Sequence, residues 1–244
     1  DDDLKNDYIR LFPKLDKFHA VSESIKKLAF NYGVKEQDAL VINALNPKCL
    51  QYNKNKLTYD QNRQINFISV GRFHWIKGYR YALAAIRNLL DINVDVHYTI
   101  VTQNSPTEDI LYQIEDDSLE DVVTFTSLKF QDEVYDLMSQ SDFLILPSVD
   151  EGLANVALEA MSIGLVVISS DCGGMKELIS HNNNGFLFSN RDVNAMTDTI
   201  IEVLKKNHSD LDEIILNAQQ TIKRRYDPLF FRKNMKKFYE SVYE

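Results

Sequence analysis

Two carboxylates at a fixed spacing mark the segment EGLANVALEAMSIG, residues 151–164. Glu151 opens it and Glu159 follows after seven intervening residues, inside an otherwise apolar helical pattern. An apolar helix buries most of its circumference, and a buried carboxylate is costly unless it is hydrogen-bonded or paired. Glu159 therefore either occupies a buried polar site or marks a solvent-facing stripe. Glu151 either caps the helix or points into a ligand cleft.

Positive charges flank a second segment, GRFHWIKG, residues 71–78, which follows the apolar run INFISV. Arg72 and Lys77 stand close to the predicted start of a helix, where positive side chains oppose the helix dipole unless an anion lies between them. With an anion present, the same dipole and free N–H groups bind it. This loop is a candidate anion site, with two solvated surface charges as the alternative.

A third loop, within SSDCGGMKELI, follows the apolar run VVISS. Gly173 and Gly174 permit close packing or the close approach of a group from outside the domain. Glu177 falls in the first turn of the next helix, where we expect it to complement that helix's dipole. The loops follow predicted strands, so they belong at the carboxyl edge of a sheet, where open α/β folds bind ligands.

Metal and standard nucleotide motifs are absent from the sequence. Cys49 and Cys172 are isolated, which predicts neither a disulfide framework nor a zinc site. No Asp-x-Asp pair is convincing, and four histidines stand alone without ligand spacing: His19, His97, His181 and His208. His74 remains a candidate because it lies within the basic loop. The G-x-G-x-x-G and P-loop fingerprints do not occur, which argues against a dehydrogenase.

The elements that must position these loops alternate between strand and helix from residue 65 onward. Short Val/Ile/Leu/Phe runs separated by helical patterns predict a parallel sheet with helices on both faces. After Phe188 only helices are predicted, over residues 192–206, about 210–225, and from Pro228 to about Tyr243. Residues 1–60 hold another βα unit, KFHAVS followed by ESIKKLAFNYG, and then a polar linker. The α/β domain is assigned to residues 61–225.

Composition excludes several classes of function. The 244 residues carry a net charge of -9 without basic runs, which excludes a sequence-independent nucleic-acid binder. No apolar run approaches the length of a membrane span, and the acidic start DDDLKNDY is unlike a secretion signal. We expect a cytoplasmic protein that contains no metal or cofactor.

Three ordered segments resemble a known family: FISVGRFHWIKGYRYALAAI, DFLILPSVDEGLANVALEAMSIGLVVISSDCGGMKELI and NNNGFLF. Together they are similar to the carboxy-terminal domain of retaining glycosyltransferase family 4, which has the GT-B fold. The resemblance covers about residues 65–189. It implies a Rossmann-like donor-nucleotide domain preceded by a remnant of the amino-terminal acceptor domain, with a last helix, residues 226–244, that packs back toward that domain.

The resemblance also implies roles for individual residues. Arg72 and Lys77 would bind the diphosphate of a nucleotide sugar, Glu151 a sugar hydroxyl and Glu159 the ribose, with Arg72, Lys77 and Glu151 forming the catalytic set. The base would lie against Leu128 and Lys129. Backbone N–H groups would contact the phosphate or sugar, which extends the donor-binding set to Gly152, Leu153, Ala154 and Asn155.

The activity implied is metal-independent transfer, with retention, from a UDP- or GDP-linked sugar to a glycan or lipid-linked acceptor in polysaccharide or glycoconjugate biosynthesis. Such an enzyme would act at the inner face of the membrane, with peripheral contact through the missing domain. EGLA stands where the family commonly has EGFG, and TQNSP stands where a glycine-rich loop is expected. The alternatives are a donor-binding module that is inactive without a missing domain or partner chain, and a nucleotide-sugar epimerase of the same fold.

Overall fold

The computed structural model describes residues 2–52, 63–127 and 130–243. Its strands, β1 to β8 in chain order, are Phe18–Ala20, Ala39–Val41, Ile65–Val70, Val96–Val101, Val123–Thr126, Phe143–Leu146, Val166–Ser170 and Phe186–Phe188. Its α-helices, α1 to α10, are Asp2–Leu11, Glu23–Phe30, Tyr79–Asp91, Glu108–Asp116, Gln131–Gln140, Asn155–Ile163, Met175–Leu178, Val193–Leu204, His208–Arg225 and Pro228–Glu240. The predicted alternation of strand and helix is confirmed from β3 onward.

The main sheet is parallel and has six strands in the order β5-β4-β3-β6-β7-β8. Alternate residues of a strand point to opposite faces. In β6, Phe143 and Ile145 pack under α3, α4 and α8, whereas Leu144 and Leu146 pack under α5 and α6. Both faces are therefore covered, which confirms the predicted α/β class with helices on both sides of a parallel sheet.

The strand order reverses between β3 and β6, which pair directly at the centre of the sheet. Chain connections leave this point in opposite directions, so the loops after the two strands diverge and leave a crevice at the carboxyl edge. Those loops are residues 71–78 and 147–154, the two segments that the sequence marked for chemistry. The fold thus brings together residues far apart in the chain.

The first part of the chain packs against two other regions: the last helix, α10, and the core under α6. β1 and β2 form a parallel pair, and the His19 ring lies 6.4 Å from Phe231 and 6.3 Å from Phe238 of α10, measured between ring centroids. Leu45 and Cys49 are buried in the core under α6. Helix α1 was not predicted, and its Tyr8 lies 5.6 Å from the ring of Tyr32.

A buried carboxylate joins the starts of the two central strands. Asp142, 1% exposed, accepts hydrogen bonds from both terminal nitrogens of Arg63, at 3.1 and 2.6 Å, and from the N–H of Asn66 at 2.9 Å. Charge-assisted and bidentate bonds of this kind are about twice as strong as neutral ones. They hold β3 against β6 and so support the crevice at the opposite end.

Replacing Asp142 with Ala should lower the free energy of unfolding by about 3 kcal/mol, because Arg63 and the Asn66 N–H lose their acceptor. Urea denaturation measures this loss. Asp95→Ala is the matched control, since exposed Asp95 accepts a hydrogen bond from Gln64 in the same region, and it should cost less than about 0.5 kcal/mol. Equal losses in the two variants would contradict the role given to Asp142.

Candidate functional site

The basic loop, residues 71–78, packs against the loop that follows β6, residues 147–154. It contains a short 3-10 turn, Trp75–Lys77, and ends at Gly78, whose φ of 67° lies in the left-handed region. A Cβ atom on Gly78 would lie 2.0 Å from the carbonyl oxygen of Pro147, so glycine is needed for contact as well as conformation. The Val149 N–H donates to the Ile76 carbonyl at 2.7 Å.

His74 caps the 3-10 turn, because its Nδ1 accepts from the N–H of Ile76 at 3.3 Å. The other side of the loop is held by Asn104, which follows β4. The Asn104 side chain accepts from the Phe73 N–H at 2.8 Å and donates to the Phe73 carbonyl at 3.0 Å. Asn104 lies in the segment TQNSP and was not predicted as a site residue. A polar residue just after a strand was the available signal.

Lys77 and Glu151 form an ion pair across the crevice. The Ser148 hydroxyl donates to the same carboxylate oxygen at 3.1 Å. The side chain of Lys77 is 25% exposed and that of Glu151 16%, so neither is a fully solvated charge. Glu151 accordingly faces the crevice. The alternative that it caps the following helix is excluded, since the residue before that helix is Ala154.

The start of α6 lies beside this pair and has no side-chain cap among the described residues. Leu153 and Ala154 are 9% and 5% exposed, and Asn155 is exposed with its side-chain oxygen 3.4 Å from Asn43 Nδ2. An uncapped helix start has N–H groups without intrahelical partners and the positive end of the helix dipole. Residues 152–155 therefore supply positive potential next to Lys77.

The third loop, which contains Gly173 and Gly174, packs against the backbone of Glu151 and Gly152. A Cβ on Gly173 would lie 1.7 Å from the Glu151 carbonyl oxygen, and one on Gly174 would lie 1.9 Å from the Gly152 carbonyl oxygen. The Gly174 N–H donates to the Glu151 carbonyl at 3.1 Å. The glycines admit backbone of the same domain, and Gly174 also meets Ser22 of the first βα unit.

Glu177 lies in the first turn of α7, as predicted, and it also makes a contact that was not predicted. Its carboxylate accepts from the N–H groups of Glu23 at 2.7 Å and Ser24 at 2.8 Å, at the start of α2. Its own helix, α7, has only four residues and therefore a small dipole to complement. Glu177 thus joins the loop after β7 to the first part of the chain.

Glu159 is buried at 8% exposure, which excludes the solvent-facing stripe. Its carboxylate accepts a hydrogen bond from the Tyr135 hydroxyl at 2.9 Å, and Gln131 Nε2 lies 3.5 Å from its other oxygen. Burial raises the pKa of Glu159, and the Tyr135 hydrogen bond opposes that rise. Burial, with a further contribution from Glu159, raises the pKa of the Cys49 thiol to about 11. Neither Tyr135 nor Gln131 was predicted as a site residue.

A cleft of about 350 Å³ runs between these groups. Lys77 lines one part of it and Gln131, the neighbour of Glu159, lines another. Arg72 also lines the cleft, is exposed, and has no ion-pair or hydrogen-bond partner among the residues that the structure describes. Leu128 and Lys129, expected beside the base, lie outside the described residues.

Two features are absent from the described residues. Within residues 2–52, 63–127 and 130–243, no three or more His, Cys, Asp or Glu side chains are grouped so that they could hold a metal ion. In the same ranges no helix has the length and apolar character needed to cross a membrane.

Comparison with known proteins decides the family. The model of the family described as Glycosyl transferases group 1 matches residues 64–206, more than half of the chain and all of the loops described above. The chain belongs to the group 1 glycosyl transferases. The GT-B assignment made from the sequence is confirmed at the level of the fold.

One curated relative and two similar structures agree with this family assignment. The amylovoran biosynthesis glycosyltransferase AmsK of Erwinia amylovora is 29% identical over 178 residues, covering 70% of this chain and 44% of that protein. A Rickettsia africae glycosyltransferase structure has a TM-score of 0.80 at 21% identity, covering 100% of this chain and 68% of that one. Anabaena HepE, solved with UDP and glucose, has a TM-score of 0.80 at 19% identity, covering 97% and 66%.

The chain is shorter than the curated proteins of the group that it matches. Its match spans 44% of the Erwinia protein and between 40% and 49% of three further curated relatives. The two structures, at about one-fifth identity, show a common fold and nothing more specific.

Replacing Glu159 with Gln should make the protein more stable at neutral pH. Because burial raises the pKa of Glu159 above its ordinary value of 4.5, the wild type loses stability as the pH rises through the raised pKa, whereas an amide has no charge to bury. Thermal unfolding from pH 4 to pH 8 should show a gap in favour of Glu159→Gln that grows with pH. The exposed Glu115→Gln change on α4 is the control. A gap independent of pH would contradict the buried-charge account.

Proposed function

We propose that this chain is the donor-binding half of a retaining family 4 glycosyltransferase. It would take a sugar from a nucleoside diphosphate, UDP- or GDP-linked, and pass it to a glycan or lipid-linked acceptor in polysaccharide or glycoconjugate biosynthesis. One observation carries the proposal. At the crevice between β3 and β6, Lys77 pairs with Glu151, and the start of α6, which has no side-chain cap among the described residues, follows Glu151 in the chain.

The diphosphate is assigned to the positive side of this crevice. Lys77, Arg72, which has no side-chain partner in the described part of the chain, and the N–H groups of residues 153–155 would supply the donors. As the bond between sugar and phosphate breaks, negative charge grows on the diphosphate. Donors held in place before the reaction stabilise that charge without reorganising. In this proposal Arg72 and Lys77 therefore lower the barrier directly.

Glu151 is assigned to the transferred sugar. In the structure it neutralises Lys77, with Ser148 donating to the same oxygen. A diphosphate would take over as the partner of Lys77 and leave Glu151, still held by Ser148, able to accept further hydrogen bonds. Sugar hydroxyls suit this role, because a carboxylate forms charge-assisted bonds with neutral O–H donors. In this proposal the ion pair between Lys77 and Glu151 is exchanged for contacts with the donor.

Glu159 is assigned to the ribose, at the end of the cleft lined by Gln131. Tyr135 already satisfies one carboxylate oxygen, whereas the other has, within the described residues, only the long contact to Gln131. Two adjacent ribose hydroxyls would supply the missing donors. The base would then extend toward residues 127–130, where Leu128 and Lys129 are expected. HepE, which shares the fold, was solved with UDP and glucose, and this supports a uridine donor.

Two further parts of the proposal concern the metal requirement and the acceptor. We propose that the reaction needs no metal, because Arg72, Lys77 and the α6 start would balance the diphosphate charge. Acceptor binding and any peripheral contact with the inner face of the membrane are assigned to the rest of a longer protein. The match to between 40% and 49% of four curated relatives supports that division. The chain alone would then bind donor without turnover.

Lys77→Ala should weaken binding of UDP about 10- to 100-fold, because a charge-assisted contact contributes about 1.5–3 kcal/mol. Uridine, which has no phosphate, should bind within about threefold of its wild-type affinity. Calorimetry of the chain with UDP, GDP and uridine, each with EDTA and again with Mg²⁺, measures both effects. Affinities should be the same with and without metal.

Lys236→Ala on α10 serves as the control. The side chain of Lys236 is 77% exposed, and Lys236 is distant from Lys77 in the sequence. This variant should leave UDP binding unchanged. Equal weakening of UDP and uridine by Lys77→Ala would show that Lys77 is not a phosphate ligand. A requirement for Mg²⁺ would overturn the metal-independent proposal.

A further inference from the structure

A second cavity, of about 330 Å³, lies beside the basic loop, and we call it the aromatic cavity. Its volume is at the lower end of the range for small-molecule pockets. Rings and charged side chains together form its wall, chiefly Phe73, Trp75, Tyr79, Arg80, Thr107 and Asp109. These residues come from the basic loop and from the first turns of α3 and α4.

The aromatic cavity is separate from the cleft assigned to the donor. Phe73 and Tyr79 belong to the core on the α3 and α4 face of the sheet. Val101 and Val134, which line the donor cleft, belong to the core on the opposite face. Asn104 holds the backbone of Phe73 between the two spaces. A ligand in the aromatic cavity would thus occupy different residues from the donor.

The cavity presents an exposed aromatic ring. Trp75 is 70% exposed, although burying its large ring surface would be favourable. The ring of His74 lies 5.8 Å away, measured between centroids, and is tilted by 34°. Flat apolar rings open to solvent at the mouth of a pocket offer a stacking surface to the apolar face of a ligand.

Charges of both signs complete the wall. Arg80 provides hydrogen-bond donors and Asp109 acceptors, and neither side chain has a partner within the described part of the chain. Thr107 adds a hydroxyl that can act either way. The lining carries one cation, Arg80, and one anion, Asp109, so its charges balance and favour a neutral ligand. The ligand must therefore combine an apolar face with many hydroxyls.

We propose that the aromatic cavity is a saccharide-binding site, in which a pyranose ring stacks on Trp75 while Arg80 and Asp109 bond its hydroxyls. A pyranose has C–H groups on its faces and hydroxyls around its edge, which matches both halves of the wall. The site would hold a neutral sugar unit of a glycan next to the loop that carries Lys77. The saccharide site consists of residues that do not line the donor cleft, so this proposal does not depend on the proposed donor chemistry.

Trp75 makes the test direct, because it is the only tryptophan in the chain. The chain is titrated with glucose, galactose, lactose and maltotriose while tryptophan emission is followed. At least one sugar should give a saturable change, and saturation-transfer NMR should show the same sugar in contact with aromatic protons. Asp109→Asn and Arg80→Ala should each weaken that binding about fivefold or more. Asp212→Asn on α9 should leave it unchanged.

Repeating the titration with saturating UDP separates this site from the donor cleft. The sugar affinity should stay within about twofold. No saturable response to any of the four sugars in emission and NMR would overturn the proposal. A response to uridine in place of the sugars, abolished by Asp109→Asn, would overturn it in favour of a nucleoside site. Failure of UDP to bind in calorimetry would count against the donor site alone.

Discussion

Direct packing of backbone on backbone at the carboxyl edge of the sheet is the constraint on which the site depends. Gly78 lies against the Pro147 carbonyl, and Gly173 and Gly174 lie against the carbonyls of Glu151 and Gly152. Any side chain at these glycines would push the loops apart. Because the loops touch, Lys77 and Glu151 are held in one crevice although they are far apart in the chain.

This packing also sets the electrostatics of the crevice. The protein concentrates positive potential from Lys77 and the α6 start, and it balances that potential with one carboxylate, Glu151. A second carboxylate, Glu159, is kept in a drier environment by Tyr135 and Gln131. The two glutamates of one short segment therefore have different surroundings. One is an exchangeable partner for a cation, and the other is a buried acceptor that costs stability to keep charged.

The fold was predictable because its signals are local and repeated. Continuous apolar runs predicted buried parallel strands, and the glycines with Lys77 and Glu151 predicted which loops meet at the carboxyl edge of the sheet. The contacts of Asn104, Tyr135 and Glu177 could not be predicted, since each depends on residues distant in sequence: Asn104 reaches Phe73, Tyr135 reaches Glu159, and Glu177 reaches α2. Helix α1 was missed because its sequence, DDLKNDYIRL, is strongly polar on average, and its place depends on contacts with Tyr32.

The central claim is that a diphosphate replaces Glu151 as the partner of Lys77. A crystal structure of the chain with UDP tests this most directly. The account predicts diphosphate oxygens within hydrogen-bond distance of Lys77 Nζ and of the N–H groups at the start of α6, with the Lys77 and Glu151 side chains separated. A diphosphate bound elsewhere, or bound while Lys77 stays paired with Glu151, would contradict it.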